Sequence, residues 1–139
     1  MTAQVLHRYP EKLAVVKLGP GSELPSWAGS STMVSVTATA TETSIVCGAA
    51  GVPKKARGQG PFTAYAVEGP LDFALTGILA DLLRPLAEAE VSVFTLSTYD
   101  TDWILVPTEK ATVAEDAWQQ AGHTVVPAPV AAPSPGKKS

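Results

Sequence analysis

The sequence contains few helical segments, and this shortage limits the folds that are open to it. The clearest helix is predicted over residues 72–89, where apolar residues recur at helical spacing. Asp72 is placed to cap its first free amides. Pro85 cannot donate to the carbonyl of Asp81, which predicts a bend or a restart. The apolar stripe consists of Leu75, Ile78, Leu79, Leu82 and Leu86.

A second, weaker helix is predicted over residues 108–120. Thr108 is its predicted N-cap, and Gly122 is placed to end it. Strands are predicted where β-branched or aromatic runs are bounded by Gly, Pro or charged turns. In the second half, the order is strand, helix, strand, strand, helix, strand, which is the ferredoxin-like βαββαβ arrangement. The predicted strands are residues 13–18, 33–39, 43–47, 63–67, 91–97, 102–106 and 123–126.

The first half resembles a shortened copy of the second. Residues 33–47 align without gaps on residues 91–105, so that Glu42-Thr43-Ser44 falls on Asp100-Thr101-Asp102. The crossover before this repeat is short and rich in Gly and Pro, which predicts that the first copy has lost most of its helices. Because one helix pair cannot cover two sheets, the copies should share a core, or a second chain should cover the remainder.

We therefore predict an α+β fold of two tandem ferredoxin-like modules, the first one degenerate with reduced helices. The folded part should begin near Lys12. The modules are residues 12–60 and 61–126, followed by a Pro-rich tail, residues 127–139, which we expect to be disordered.

Composition excludes several classes of function. The net charge of −3 gives no reason to expect nucleic acid, because that binding needs clustered Lys and Arg. Lys54, Lys55 and Arg57 form the only internal basic cluster, which we interpret as a solvated loop rather than an anion site. Cys47 lies in an apolar run and indicates a buried structural thiol. The sequence shows no signal peptide or membrane span, which predicts a soluble, cytoplasmic protein.

The second half also contains the elements of a pocket for a zwitterion. A turn beginning at Gly69 leads into the long helix, whose first amides can hold a carboxylate. Asp100 and Asp102 can accept from an ammonium. Thr98 and Thr101 can add hydroxyl contacts, and Tyr99 offers an aromatic wall.

The motifs G-P-L-D-F-A-L-T-G and V-F-T-L-S-T-Y-D-T-D-W-I-L-V resemble small bacterial proteins built of two tandem ACT domains. These are related to the ACT modules of aspartate kinases and to the arginine-sensing ACT proteins of animals. The resemblance implies a non-catalytic regulatory protein that binds an amino acid at an ACT–ACT interface, as a homodimer. It also implies that residues 98–102 contribute side chains and residues 71–74 contribute backbone. The predicted ligand-binding residues are Gly69, Leu71, Asp72, Phe73, Ala74, Thr98, Tyr99, Asp100, Thr101 and Asp102.

Simpler roles remain open for these residues. Asp72 could be a helix cap alone, Asp100 a turn residue alone, and Tyr99 a packing residue. A basic ligand such as arginine would use Asp100 and Asp102, whereas a small neutral amino acid would leave one acid unused. If Ser44 occupies the place of Asp102 in the first copy, a site there would be neutral and weaker.

Two other functions are alternatives to amino-acid binding. The first is a protein-interaction module with a non-functional pocket, which would bind its partner through the sheet. The second is an enzyme, which the sequence does not support, because no nucleophile lies near a base in a recognisable pattern. No metal motif or cofactor fingerprint is present either, so no cofactor or metal is expected.

Overall fold

The computed structural model describes residues 3–69 and 77–129. The described strands are β1 Val5–Arg8, β2 Leu13–Leu18, β3 Ser35–Ala38, β4 Thr43–Gly48, β5 Arg57–Val67, β6 Phe94–Ser97, β7 Asp102–Pro107 and β8 Thr124–Pro127. The helices are α1 Ile78–Glu88, between β5 and β6, and α2 Ala111–Gln120, between β7 and β8. Single 3-10 turns lie at Ala49–Gly51 and Thr108–Lys110. The predicted α+β class and the ferredoxin-like order of the second half are confirmed.

All of these strands belong to one sheet, and β5 joins its two halves. The first part of β5 pairs antiparallel with β2, which continues to β4 and β3. The second part pairs with β1 on the same side as β2, and with β7 on the other side. β5 extends from Arg57 to Val67 and so runs across the predicted module boundary at residue 60. The two halves of the chain therefore share one sheet. The division into modules at residues 12–60 and 61–126 stays a prediction.

The sequence did not indicate β1, which lies outside the predicted folded part. In β1, Leu6 faces Val67 of the antiparallel β5 and Val125 of the parallel β8. β1 therefore separates two strands that a simple βαββαβ module would pair directly. The amide of Ala128 donates to the carbonyl of Arg8 at 2.8 Å, so main-chain pairing extends past residue 126. Residues 130–139 of the predicted tail lie outside the described residues.

Both helices pack on one face of the second half. Trp118 of α2 is fully buried and donates from Nε1 to the carbonyl of Leu82 in α1 at 2.8 Å. The Tyr65 ring meets the Trp118 ring edge-on, with centroids 4.9 Å apart. The core under the helices consists of Leu6, Tyr65, Val67, Leu82, Leu86, Val91, Ile104, Val106, Ala114 and Trp118.

The helix boundaries differ from the predicted ones. Gly77 has a left-handed backbone (φ 83°), so a helix cannot run continuously from residue 72, and α1 begins at Ile78. The predicted cap, Asp72, lies outside the described residues. α1 runs from Ile78 to Glu88 with Pro85 inside it, so the helix does not restart there. Leu82 and Leu86, on either side of Pro85, both pack into the core. Thr108 is not the N-cap of α2, because α2 begins at Ala111 with Lys110 at the N-cap position. The Thr108 hydroxyl lies 3.1 Å from that of Thr63 instead.

In the first half, the loop of residues 19–34 covers the sheet in place of a helix. Trp27 and Ala28 of this loop pack against Val16, Ile45 and Cys47. Cys47 is fully buried, which confirms its predicted environment, and burial raises the pKa of its thiol. The sheet is therefore covered on this face by the helices in one half and by a loop in the other.

The opposite face of the sheet, which we call the open face, is covered by no described helix. Leu13, Val46, Ala64 and Leu105 are buried at its centre. Around them lies a continuous set of half-buried apolar side chains from both halves. These are Tyr9, Val15, Met33, Phe62, Phe94, Leu96 and Trp103.

The hairpins β3–β4 and β6–β7 pair in the same pattern, but the predicted alignment of residues 33–47 on residues 91–105 is wrong by one residue. Ala38 faces Thr43 in the first hairpin, just as Ser97 faces Asp102 in the second. Thr43, not Ser44, is therefore the counterpart of Asp102. A shift of one residue moves every side chain of a strand to the other face, so only this register matches the buried positions of both copies. Thr43 is neutral, so the expectation of an uncharged first site is unaffected.

Candidate functional site

The predicted residues 98–102 form the tight turn of the β6–β7 hairpin and the first residue of β7. Ser97 and Asp102 face each other at the ends of the two strands. The amide of Thr98 donates to the carbonyl of Thr101 at 2.8 Å, which closes the turn and leaves Tyr99 and Asp100 at its tip. The structure therefore brings all five predicted residues of this block together.

Thr101 fastens this turn to the end of β5. Its hydroxyl donates to the carbonyl of Val67 at 2.5 Å. Val67 is the last residue of β5 and lies two residues before Gly69. The hairpin turn therefore lies beside the point where the chain leaves the sheet towards α1. The predicted residues Leu71, Asp72, Phe73 and Ala74 lie outside the described residues, so their part in a pocket stays a prediction.

Of the two predicted acids, Asp102 is the one with a side-chain hydrogen bond to the rest of the described structure. Its Oδ1 accepts from the hydroxyl of Ser97 at 2.5 Å, and its side chain is half-buried. Because side chains alternate along a strand, Asp102 lies on the same face as Ile104, which packs into the core under the helices. Asp102 therefore points to the side of the sheet on which α1 begins.

The local charges suit a cationic group. Neither Asp100 nor Asp102 forms an ion pair with a cation in the described part of the chain. No side chain among the described residues caps the start of α1, whose first amides carry the partial positive charge of a helix N-terminus. The acidic groups of the hairpin turn are therefore available to a cation, and the first amides of α1 have no side-chain cap among the described residues.

Several of the predicted site residues are more exposed than residues that line an enclosed pocket would be. Tyr99 is 82% exposed, so most of its ring is open to a neighbouring molecule. Thr98, Asp100 and Gly69 are exposed as well, and the hydroxyl of Thr101 is already engaged with Val67. Within one chain, the described part of the site is therefore an open surface rather than an enclosed cavity.

A cavity on the open face was not indicated by the sequence. It has a volume of about 690 Å³ and lies at the far end of β7, next to Pro107. Phe62 and Phe94 line it together with Val15 from the first half. The signal that could have revealed it is the alternation of apolar residues on the side of the sheet away from the helices.

Two classes of feature are absent from residues 3–69 and 77–129. No three or more His, Cys, Asp and Glu side chains come together as a metal site. Neither α1, with 11 residues, nor α2, with 10, reaches the length and apolarity of a bilayer-spanning helix.

The sequence of the second half matches a known family. Residues 61–119 match the ACT domain family. The chain is thus related to ACT-domain proteins, and the matched ACT segment contains β7, α1 and most of β5. Residues 11–55 match a second family, which is described only as an N-terminal domain. Among proteins with curated descriptions, none matches the chain at a significant level.

Solved structures with the same fold extend over nearly the whole chain. A protein from Agrobacterium tumefaciens is 28% identical, with a TM-score of 0.84 over 91% of this chain and 94% of that one. A Vibrio cholerae protein of unknown function is 16% identical, with a TM-score of 0.70 over 86% of this chain and 90% of that one. The regulatory subunit of aspartate kinase from Thermus flavus is 12% identical, with a TM-score of 0.57 over 86% and 97%. The fold is therefore shared by proteins that consist of little else.

Proposed function

We propose that this chain is a non-catalytic regulatory protein that binds a free amino acid between its ACT segment and a neighbouring ACT module. The neighbouring module comes from a second copy of the chain in a homodimer. The observation that carries the proposal is the hydrogen bond from Thr101 to Val67, which holds an acidic hairpin beside the start of the β5–α1 connection.

The chemistry of a free amino acid fits this arrangement. The ammonium of the ligand would be held by Asp102, with Asp100 available for a second cation on a basic side chain such as that of arginine. The ligand carboxylate would accept from backbone amides of residues 71–74 and Gly69. The attraction between a charged ligand and charged protein groups is stronger where water is excluded. A second module packed over the exposed turn would exclude water from the ligand.

The comparisons support a regulatory role rather than a chemical one. One of the structures with this fold is named as the regulatory subunit of aspartate kinase. Another is an aspartate kinase from Clostridium acetobutylicum, and the region similar to this chain makes up 34% of its length. The fold thus occurs both as a separate regulatory chain and as part of a larger enzyme. In our proposal, the amino acid changes the affinity of this chain for a partner, because it binds one state of the dimer better than another.

A thermal-shift screen of the twenty amino acids tests the proposal. A ligand that binds only the native state raises the melting temperature, by an amount that follows its concentration. We expect one amino acid or one chemical class to give the shift, and Asp102→Asn to remove it. Glu109→Gln, at the far end of β7, is the matched control and should keep the response. No shift at millimolar concentration would contradict the proposal.

A second candidate is a protein-interaction module, and the open face favours it. Tyr9 and Trp103 lie on this face with ring centroids 5.0 Å apart, and both are half-buried. Large aromatic side chains at a partly exposed apolar face are typical of binding surfaces. This function would leave the melting temperature insensitive to every amino acid, and Trp103→Ala would weaken binding of the partner.

A further inference from the structure

A long groove crosses the open face where the two halves of the sheet meet. Its apolar end is the cavity of about 690 Å³ beside Pro107. A second cavity, of about 530 Å³, continues from it along β2 and the start of β5. Val15, Gln59 and Phe94 line both cavities, so the two form one continuous space.

The apolar end of the groove is a place for a hydrocarbon or aromatic body. Phe62 and Phe94 form its walls, with Pro61 and Pro107 beside them. Phe62 and Phe94 are half-buried and have no described neighbour to cover the rest of their rings. Clefts with mostly apolar walls at the junction of two structural units are the usual location of small-molecule sites.

The other end of the groove carries two cations that face each other. Lys17 of β2 is directly opposite Arg57 of β5 in the strand register, and both side chains line the groove. Like charges in this position repel and destabilise a sheet. Neither cation forms an ion pair with a carboxylate within the described ranges, although Glu42 lines the same cavity.

From this charge pattern, we infer that the groove binds an amphipathic carboxylate, with its carboxyl group between Lys17 and Arg57 and its apolar body against Phe62 and Phe94. The orientation follows from the charges at the two ends, because Lys17 and Arg57 outnumber the acid Glu42 at one end, whereas the charged residue at the apolar end is the acid Glu109. From Lys17 to Leu13, the residue opposite Phe62, the strand covers about 13 Å. The ligand is thus a medium-length chain or a flat ring system with one terminal acid.

This site is distinct from the proposed amino-acid site. Asp102 and the hairpin turn lie at the opposite end of β7 from Pro107, and Asp102 points to the helix side of the sheet. The groove lies on the open face and brings together β2, β5 and β6. Occupancy of one site can therefore be measured without the other.

Binding of decanoate to the full chain, measured by titration calorimetry, tests the inference, with 1-decanol as the uncharged control. We expect decanoate to bind more tightly than 1-decanol. Lys17→Gln and Arg57→Gln should each weaken decanoate binding about tenfold, because each removes a charged hydrogen-bond donor. Neither change should alter the binding of 1-decanol. Lys54→Gln, an exposed neighbour in the same basic cluster, should bind decanoate like the wild type.

A second measurement separates binding from folding. Without ligand, Lys17→Gln should melt no lower than the wild type, since it relieves the repulsion from Arg57. Asp102→Asn should bind decanoate normally, even if it abolishes every response to amino acids. Equal binding of decanoate and 1-decanol to the wild type would overturn the inference. Unchanged decanoate binding in both cation variants, or the absence of any binding, would overturn it as well.

Discussion

The hydroxyl of Tyr65 donates a hydrogen bond to the Glu115 carboxylate at 2.7 Å. Tyr65 itself is fully buried in the core. The same carboxylate accepts from Arg8 at 2.9 Å. Glu115 thus ties α2 to β5 and to the inserted strand β1. Burial of Tyr65, together with its hydrogen bond to Glu115, raises the pKa of the phenol, which favours the protonated form that donates this bond.

Removal of this donor should destabilise the protein. We expect Tyr65→Phe to lower the free energy of unfolding by about 1.5–3 kcal/mol, because the bond is to a charged acceptor and is largely shielded from water. Urea unfolding measures this change. Tyr9→Phe is the control: the Tyr9 hydroxyl has no hydrogen bond within the described residues, and its loss should change stability by less than about 0.5 kcal/mol. Equal losses in the two variants would contradict the assignment.

The hydrogen bond from Thr101 to Val67 should contribute both to stability and to ligand binding. Thr101→Val keeps the shape of the side chain and removes its donor, which should cost about 1 kcal/mol of unfolding free energy. It should also weaken the thermal shift given by the amino-acid ligand, because the hairpin turn is no longer held at the end of β5. Thr98→Val, whose exposed hydroxyl lies 3.3 Å from the Thr101 carbonyl, should cost less. A Thr98→Val loss as large as that of Thr101→Val would argue against this anchoring role.

The two helices end in the same way with different residues. Gly122 after α2 has φ 97°, and Glu90 after α1 has φ 60°. In both cases the next amide, His123 or Val91, bonds back to the helix at 2.9 Å. A side chain in this left-handed conformation costs about 1 kcal/mol, so Glu90→Gly should stabilise the protein by that amount.

Thermal unfolding measures this gain in stability, and two further variants serve as controls. Gly122→Ala should destabilise by about 1 kcal/mol, because alanine must adopt the left-handed conformation. Ala87→Gly, inside α1, should also destabilise by about 1 kcal/mol, since glycine there only loses helix propensity. Destabilisation by Glu90→Gly would show that its side chain has a compensating role.

Glu11 makes stability depend on pH. Burial acts to raise the pKa of Glu11, but hydrogen bonds from Ser30, Thr32 and Ser31 outweigh it and lower the pKa. Since the folded protein favours the charged form, the stabilisation is complete above the ordinary carboxyl pKa of about 4.3 and is lost as the pH falls through the lowered value. The carboxylate stays charged until more acidic pH than an unperturbed glutamate.

Melting curves of wild type and Glu11→Gln between neutral and acidic pH check this dependence. The difference between them should be about 1.5–3 kcal/mol above pH 5 or so and should shrink at lower pH. Glu23→Gln, in an exposed part of the same covering loop, should show no such pH-dependent difference. A Glu11→Gln difference that persists unchanged in acid would show that charge is not its source.

The strands and helices of the second half could be predicted because their apolar periods are regular. β2 agrees with the sequence to the residue, and β7 differs by one. The alignment of the two hairpins was wrong by one residue because both registers are free of gaps, and the alternating Ala and Thr residues before Thr41 do not distinguish them. Only the paired strands show that Thr43 corresponds to Asp102.

β1 could not be predicted for a different reason. It has only four residues, and its place in the sheet depends on strands far away in the sequence. The groove on the open face was invisible for the same reason, because Val15 and Phe94 meet only after the strands pair. Within the candidate site, the sequence indicated the hairpin residues correctly, but it could not show that Thr101 bonds to Val67.

The position of β1 makes the sheet depend on a pairing between distant parts of the sequence. β1 pairs with β8, the described strand farthest from it along the chain, so this part of the sheet forms only after the two have come together. Such long-range pairing slows folding, because the cost of closing a long loop precedes the gain. A fragment that starts at residue 61 would also lack the strand between β5 and β8 and would expose the edge of β5 to another chain. The half of the sheet that lies under the helices is therefore a unit in space that is built from two separate parts of the sequence.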